Sequence, residues 1–168
     1  CDVGCHWCDV KESWDPNLHP LTKVDDIIKE IENISVNIVV ITGGEPLMWN
    51  LDYLCKKLIA MNIKVHLESS GAYPMSGVFD WICLSPKKSQ PPLEKIKRIA
   101  NELKVIVSNN NDFKWASLQQ KDINTDCKLY LQPEWSKREF ILPKIIDFVT
   151  LNPEWIISLQ THKYMNIP

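Results

Sequence analysis

Apolar positions along the chain fall into two alternating periods. Val24, Ile27, Ile28, Ile31 and Ile34 recur at the three- and four-residue steps of a helix with one face on a core. Thr22, with Asp25 three residues on, predicts where that helix starts. The spacing then gives way to Asn37-Ile38-Val39-Val40-Ile41, a β-branched run that predicts a buried strand. The succession repeats: a helix on Leu51, Leu54, Leu58 and Ile59 precedes a strand over 63–67, and a third strand over 79–84 precedes a helix over 93–103. A fourth strand over 105–107 leads to a weaker helix over 113–118, and a fifth over 129–131 leads to a helix over 137–149 with a kink or break at Pro143. A sixth strand is expected over 155–159. Strands alternating with helices predict an α/β fold with a mainly parallel sheet. The connection between the second and third strands is short and lacks a helical pattern.

The polar residues are less evenly spread. Thr42-Gly43-Gly44-Glu45-Pro46, Glu68-Ser69-Ser70-Gly71, Ser85-Pro86-Lys87, Gln132-Pro133-Glu134 and Gln160-Thr161-His162-Lys163 each follow a predicted strand. In α/β barrels and open sheets the C-terminal ends of the strands carry the site, so one face of the protein is expected to gather these runs. Ile and Val are expected to line an apolar interior below them.

The 168 residues are read as one domain spanning 1–168. The chain starts at Cys1 and not at Met, which predicts a leading segment, with a first strand, ahead of it. Apolar residues make up 45% and charged residues 24%, as in ordinary globular chains. No apolar run approaches the roughly 20 residues that span a bilayer, and no signal-peptide pattern is present. A net charge of −2 without a basic stripe argues against nucleic acid as a partner.

Of six cysteines, three crowd into positions 1–8. A disulfide framework would spread them out, so clustered thiols point to metal ligation in a reducing, cytoplasmic setting. Cys55, Cys83 and Cys127 are scattered and read as small buried hydrophobes. Residues 1–8 read Cys-Asp-Val-Gly-Cys-His-Trp-Cys, a C-x3-C-x2-C spacing. Three thiolates on one loop can hold three irons of a [4Fe-4S] cubane and leave the fourth open to an amino acid chelating through amine and carboxylate. A structural zinc site needs four ligands, commonly as two C-x2-C pairs. A redox C-x2-C pair leaves Cys1 unexplained.

Together with Gly43-Gly44-Glu45-Pro46 after the next strand, this loop resembles the radical S-adenosylmethionine superfamily. The resemblance implies a partial (β/α)6 barrel with abbreviated helices, in which Cys1, Cys5 and Cys8 hold the cluster. A closer resemblance, to the 7-carboxy-7-deazaguanine synthase family, covers almost the whole chain. It is carried by Cys5-His6-Trp7-Cys8-Asp9 with Trp14 beyond, Ser85-Pro86-Lys87, Gln132-Pro133, and Gln160-Thr161-His162-Lys163 to Pro168. It implies a lyase that contracts 6-carboxy-5,6,7,8-tetrahydropterin to 7-carboxy-7-deazaguanine with release of ammonia, in queuosine biosynthesis. S-adenosylmethionine would lie against Trp7, Cys8, Asp9, Gly44, Glu45, Ser85, Pro86 and Lys87, with its adenosyl part on Gln132, Pro133, Glu134 and Trp135. Thr42 and Pro168 would touch substrate. A one-electron donor such as flavodoxin and a homodimer are the implied partners, and Trp115, Trp135 and Trp155 are candidates to cover the dimer surface.

Magnesium is implied as well, but Val10 stands where the family pattern has a hydroxyl. Either substrate, water and Asp9 hold the ion, or the magnesium requirement is weak. Two competing functions share some of these features. A glycyl-radical-enzyme activase has both signatures, and a non-catalytic zinc- or cluster-binding module needs only the cysteines. His19 reads as a loop residue and His66 as a satisfied strand residue. His162 and Glu68 fall on the expected site face.

Overall fold

The β-branched and leucine runs become strands of one parallel sheet. The computed structural model describes residues 1–167, so Pro168 lies outside the described residues. In chain order the elements are α1 (Val24–Glu32), β1 (Ile38–Ile41), α2 (Asp52–Ala60), β2 (Lys64–Ser69), β3 (Trp81–Leu84), α3 (Glu94–Lys97), β4 (Glu102–Val107), α4 (Asn111–Gln120), β5 (Lys128–Pro133), α5 (Arg138–Leu151), β6 (Trp155–Ile157) and α6 (Thr161–Tyr164). The strands pair in parallel in sequence order, β1-β2-β3-β4-β5-β6. Every C-terminal strand end therefore opens on the same side. The β2–β3 connection carries no helix, as its sequence predicts.

Alternation decides the two faces of the sheet. Val65, Leu67, Leu84, Leu103, Val105, Val107 and Leu131 point to the helices and are almost fully enclosed, with Leu58, Ile96, Ala116, Ile141 and Ile145 packed over them. Each such large side chain contributes about 1.5–3 kcal/mol. Strand residues of the opposite parity, including Glu68, Glu102, Lys104, Ile106 and Gln132, face the concave side and line its cavity. The expected apolar interior is thus corrected. Ile and Val fill the sheet–helix core, while the concave face is largely polar.

Other expectations also give way to tertiary packing. β1 is an edge strand, and its Ile38 and Val40 are 47% and 51% exposed, not buried. The helix expected over 93–103 shrinks to α3. Asn101 instead bonds β3 through its backbone N–H to Ile82 O (3.0 Å) and its Oδ1 to Ile82 N–H (2.8 Å). That pairing starts β4, whose Glu-Leu-Lys-Val-Ile-Val alternates at period two. Pro143 does not break α5. It lies on the exposed face, as does Glu139, whose carbonyl the missing N–H would have served. Thr22 does not cap α1; Lys23 holds the cap position without a side-chain bond, and Asp25 and Asp26 complement the helix dipole. Trp155 is buried in the core at 3% exposure, which removes it from any dimer surface.

Candidate active site

The cysteine loop lies across the C-terminal ends of β1, β2 and β3. Val3 is buried and anchors it. Ser89 Oγ donates to Val3 O at 3.2 Å, and Tyr73 bonds the Asp2 carboxylate, so the segments after β2 and β3 both hold the loop. Gly4 turns it at φ +62°, a conformation costly for other residues. Cys8 N–H closes a tight turn onto Cys5 O at 2.8 Å. All three thiols are free and half-buried.

Cys1, Cys5 and Cys8 line one cavity of about 140 Å³ together with Gly44, Glu45 and Lys87. Gly44 makes that approach possible, because a Cβ there would sit 2.7 Å from Cys1 Cβ and 3.3 Å from Ser13 Oγ. A mononuclear zinc site demands ligand atoms converging on one point. Among the described residues no three or more His, Cys, Asp or Glu side chains converge in that way. Three thiols on one cavity wall can each take a different iron of a multi-iron cluster. Burial pushes the Cys5 thiol up, partly offset by the Lys87 ammonium; iron binding would deprotonate it outright. Burial also pushes Cys83 up, and Cys127 up to about 11. These buried thiols behave as small hydrophobes.

Glu45 is 4% exposed, and its carboxylate is fully occupied. Oε1 accepts from Leu47 N–H (3.1 Å) and Ser69 Oγ (2.7 Å); Oε2 accepts from Ser70 N–H (2.7 Å) and Ser70 Oγ (2.5 Å). That is the full lone-pair capacity of a carboxylate. Glu45 therefore pins the Gly43-Gly44 turn to the end of β2, and only its charge, not a spare acceptor, is left for an incoming amine. Lys87 bonds Ser85 O, and Ser85 Oγ at 2.9 Å, and stands 5.5 Å over the Trp7 ring. Burial lowers its pKa.

A second cavity of about 660 Å³ continues from the first over the concave face. Trp7, Asp9, Thr42, Glu68 and Ser85 line both. Its volume lies in the range of small-ligand sites. Gln132, Pro133, Glu134 and Trp135 form the far wall. Glu134 is buried and caps the following turn through Ser136 N–H (2.9 Å) and Ser136 Oγ (2.6 Å). Gln132 accepts from Ser158 Oγ at 3.1 Å, and Trp135 packs edge-on against Tyr164 at 4.9 Å. Pro86 turns instead to a third cavity of about 420 Å³ beyond Trp7, lined also by Ile106, Ser108, Asn109 and Trp115.

The predicted residues within the described chain are thus brought together around these connected cavities. Sequence reasoning missed Glu102, Lys104 and Ser158. Lys104 pairs with Glu68 at 2.9 Å on the cavity floor. The alternation from Glu102 to Val107 would have revealed the first two, had residues 102 and 103 not been assigned to a helix. His162 lines the cavity, whereas His19 bonds Glu12 O at 3.0 Å in a loop.

Comparison with known proteins follows the same outline. The Radical SAM superfamily model matches residues 1–101. A 7-carboxy-7-deazaguanine synthase of Flavobacterium psychrophilum is 54% identical over 168 residues, 100% of this chain and 80% of that protein. Its namesake from Synechocystis sp. is 46% identical over 167 residues, 99% of this chain and 80% of that protein. The crystal structure of QueE from Escherichia coli superposes with a TM-score of 0.79 at 24% identity, over 95% of this chain and 81% of that one, a likeness of fold.

Proposed function

This chain belongs to the radical SAM superfamily and, within it, to the 7-carboxy-7-deazaguanine synthases, and from that premise we propose that it contracts 6-carboxy-5,6,7,8-tetrahydropterin to 7-carboxy-7-deazaguanine with release of ammonia. It is a lyase of queuosine biosynthesis. The family implies a [4Fe-4S] cluster and S-adenosylmethionine. The observation that carries the reading is that Cys1, Cys5 and Cys8 line one cavity, with Cys1 over Gly44, beside a cavity large enough for a nucleoside and a bicyclic substrate.

In this reading Cys1, Cys5 and Cys8 hold the cluster. When bound, the cluster and S-adenosylmethionine would supply the one-electron radical chemistry of the reaction. The chain's task is placement. The Gly43-Gly44 backbone meets the amine of the methionine moiety, with the fixed charge of Glu45 behind it. Trp7, Ser85 and Lys87 flank the cofactor, and Gln132 to Trp135 close the adenosyl side. Thr42 contacts substrate. A shift of about 1 Å at such a site can cost on the order of a hundredfold in rate, which is why the loop is tied down at Asp2, Val3 and Gly44. Flavodoxin as the one-electron donor, a homodimer and a cytoplasmic setting complete the proposal.

Air-free reconstitution tests it. The protein should gain about four irons per chain, release 5′-deoxyadenosine, and form deazaguanine from the carboxypterin. Cys5→Ala should lose all three. Iron uptake with 5′-deoxyadenosine but no deazaguanine would instead favour the activase reading.

A further inference from the structure

We propose that Lys163 is the resident cation of Asp9, standing where the family resemblance places magnesium, and that its ammonium meets an anionic group of the substrate. The second half rests on the function proposed above; the first does not.

Magnesium demands a near-octahedral set of oxygens, and two of the oxygens nearest to hand, Asp9 Oδ2 and the Val10 carbonyl, are already committed. Asp9 Oδ2 accepts from Lys163 Nζ and from Gln160 Nε2 at 3.4 Å. Val10 offers only an isopropyl group, and its carbonyl already accepts from Ser13 N–H (3.1 Å) and Ser13 Oγ (2.7 Å). A divalent ion on this carboxylate would have to share it with an ammonium in direct contact, two like charges at short range. These residues do not fit a magnesium site. The positive charge that Asp9 needs comes from the chain itself.

Lys163 is also positioned for more than surface pairing. Its side chain is 19% exposed, against 52% for Asp9. It lies 5.4 Å over the Trp135 ring, and the next residue, Tyr164, packs on that same ring. An ammonium has three donors. One goes to Asp9, leaving donors for the large cavity that Lys163 lines. Lys104, which also lines that cavity, is likewise paired with one carboxylate, that of Glu68. Lys163 thus supplies a cation on the wall of the large cavity, where a carboxylate-bearing substrate would lie.

The test is an EPR titration of Mn²⁺, as a magnesium surrogate, into air-free reconstituted protein, with and without the carboxypterin. Wild-type protein should leave the aqueous Mn²⁺ signal undiminished in both cases. Val10→Thr/Lys163→Met should take up one Mn²⁺ per chain, at least about tenfold more tightly than wild type. Adding Asp9→Asn should abolish that uptake, and Lys163→Arg, which keeps the charge, should show none. Stoichiometric Mn²⁺ on wild type, lost in Asp9→Asn, would overturn the metal half. So would a Val10→Thr/Lys163→Met protein that folds, holds its cluster and ignores Mn²⁺. For the substrate half, Lys163→Met should raise KM for the carboxypterin by about 10–100-fold, the worth of one charged hydrogen bond, while Lys163→Arg restores most of it. An unchanged KM in Lys163→Met would overturn that half. Absence of deazaguanine formation by wild type would sink the proposed function and leave the Mn²⁺ result standing.

Discussion

Replacing Glu45 by Gln keeps shape and volume while removing charge, so it isolates what the carboxylate does. An amide oxygen can still accept from Leu47 N–H and Ser69 Oγ. The amide nitrogen would then face Ser70 N–H, a donor against a donor, at a residue only 5% exposed. The amide nitrogen can still donate to the Ser70 hydroxyl oxygen, but the charge-assisted bond from Ser70 N–H, worth about 1.5–3 kcal/mol, is lost and that buried N–H is left without a partner. We expect a destabilisation of about 3–5 kcal/mol, a large share of the 5–15 kcal/mol typical of a domain. For a chain of this size that corresponds to a fall in Tm of about 8–15 °C. Thermal unfolding followed by far-UV circular dichroism, on protein of matched iron content, reads the shift. A double-mutant cycle with Ser70→Ala adds specificity. The pair should couple by about 1–2 kcal/mol, because both changes dismantle the same bonds. A Tm within about 3 °C of wild type, or full additivity in the cycle, would refute the reasoning, since it would mean that the turn holds without Glu45.

Two further predictions follow from close contacts. Gly44→Ala places a Cβ against Cys1 Cβ at 2.7 Å; iron content should fall and 5′-deoxyadenosine formation drop by about tenfold or more, with full iron and unaltered turnover as the contrary result. Burial alone would raise the Asp112 carboxyl, but bonds from Lys88, Ser108 and Asn109 outweigh it and hold its pKa below the ordinary carboxylate value. A depressed folded pKa gives stability that is present above the unfolded pKa and lost as pH falls through the folded one. Asp112→Asn should therefore cost about 1–3 kcal/mol near neutrality and progressively less in acid, measured by urea unfolding across pH; a gap that stays constant would contradict it.

Much of the fold was legible because it is local. Strand runs such as Ile38–Ile41 and Leu129–Leu131 carry their type in β-branched and apolar residues, and turn residues mark their ends. The cysteine spacing and the Gly43-Gly44-Glu45-Pro46 run were equally visible, since one short loop fixes three thiols. Helix termini were less so. Asn101 looks like helix until β3 offers it a partner, and Pro143 looks like a break until its face is known to be solvent.

What the chain determined by itself was the order of its elements, the side of the sheet on which the polar runs gather, and the clustering of three thiols on one loop, all encoded in periodicity and short-range spacing. Tertiary structure alone decided the rest. It directed the charge of Glu45 into Ser69 and Ser70, 24 and 25 residues away, and set Lys163 against Asp9 from 154 residues away. It also turned Glu68 of β2 and the even-numbered residues of β4 toward a polar cavity. Such pairings depend on which strand lies beside which, and no local pattern records that.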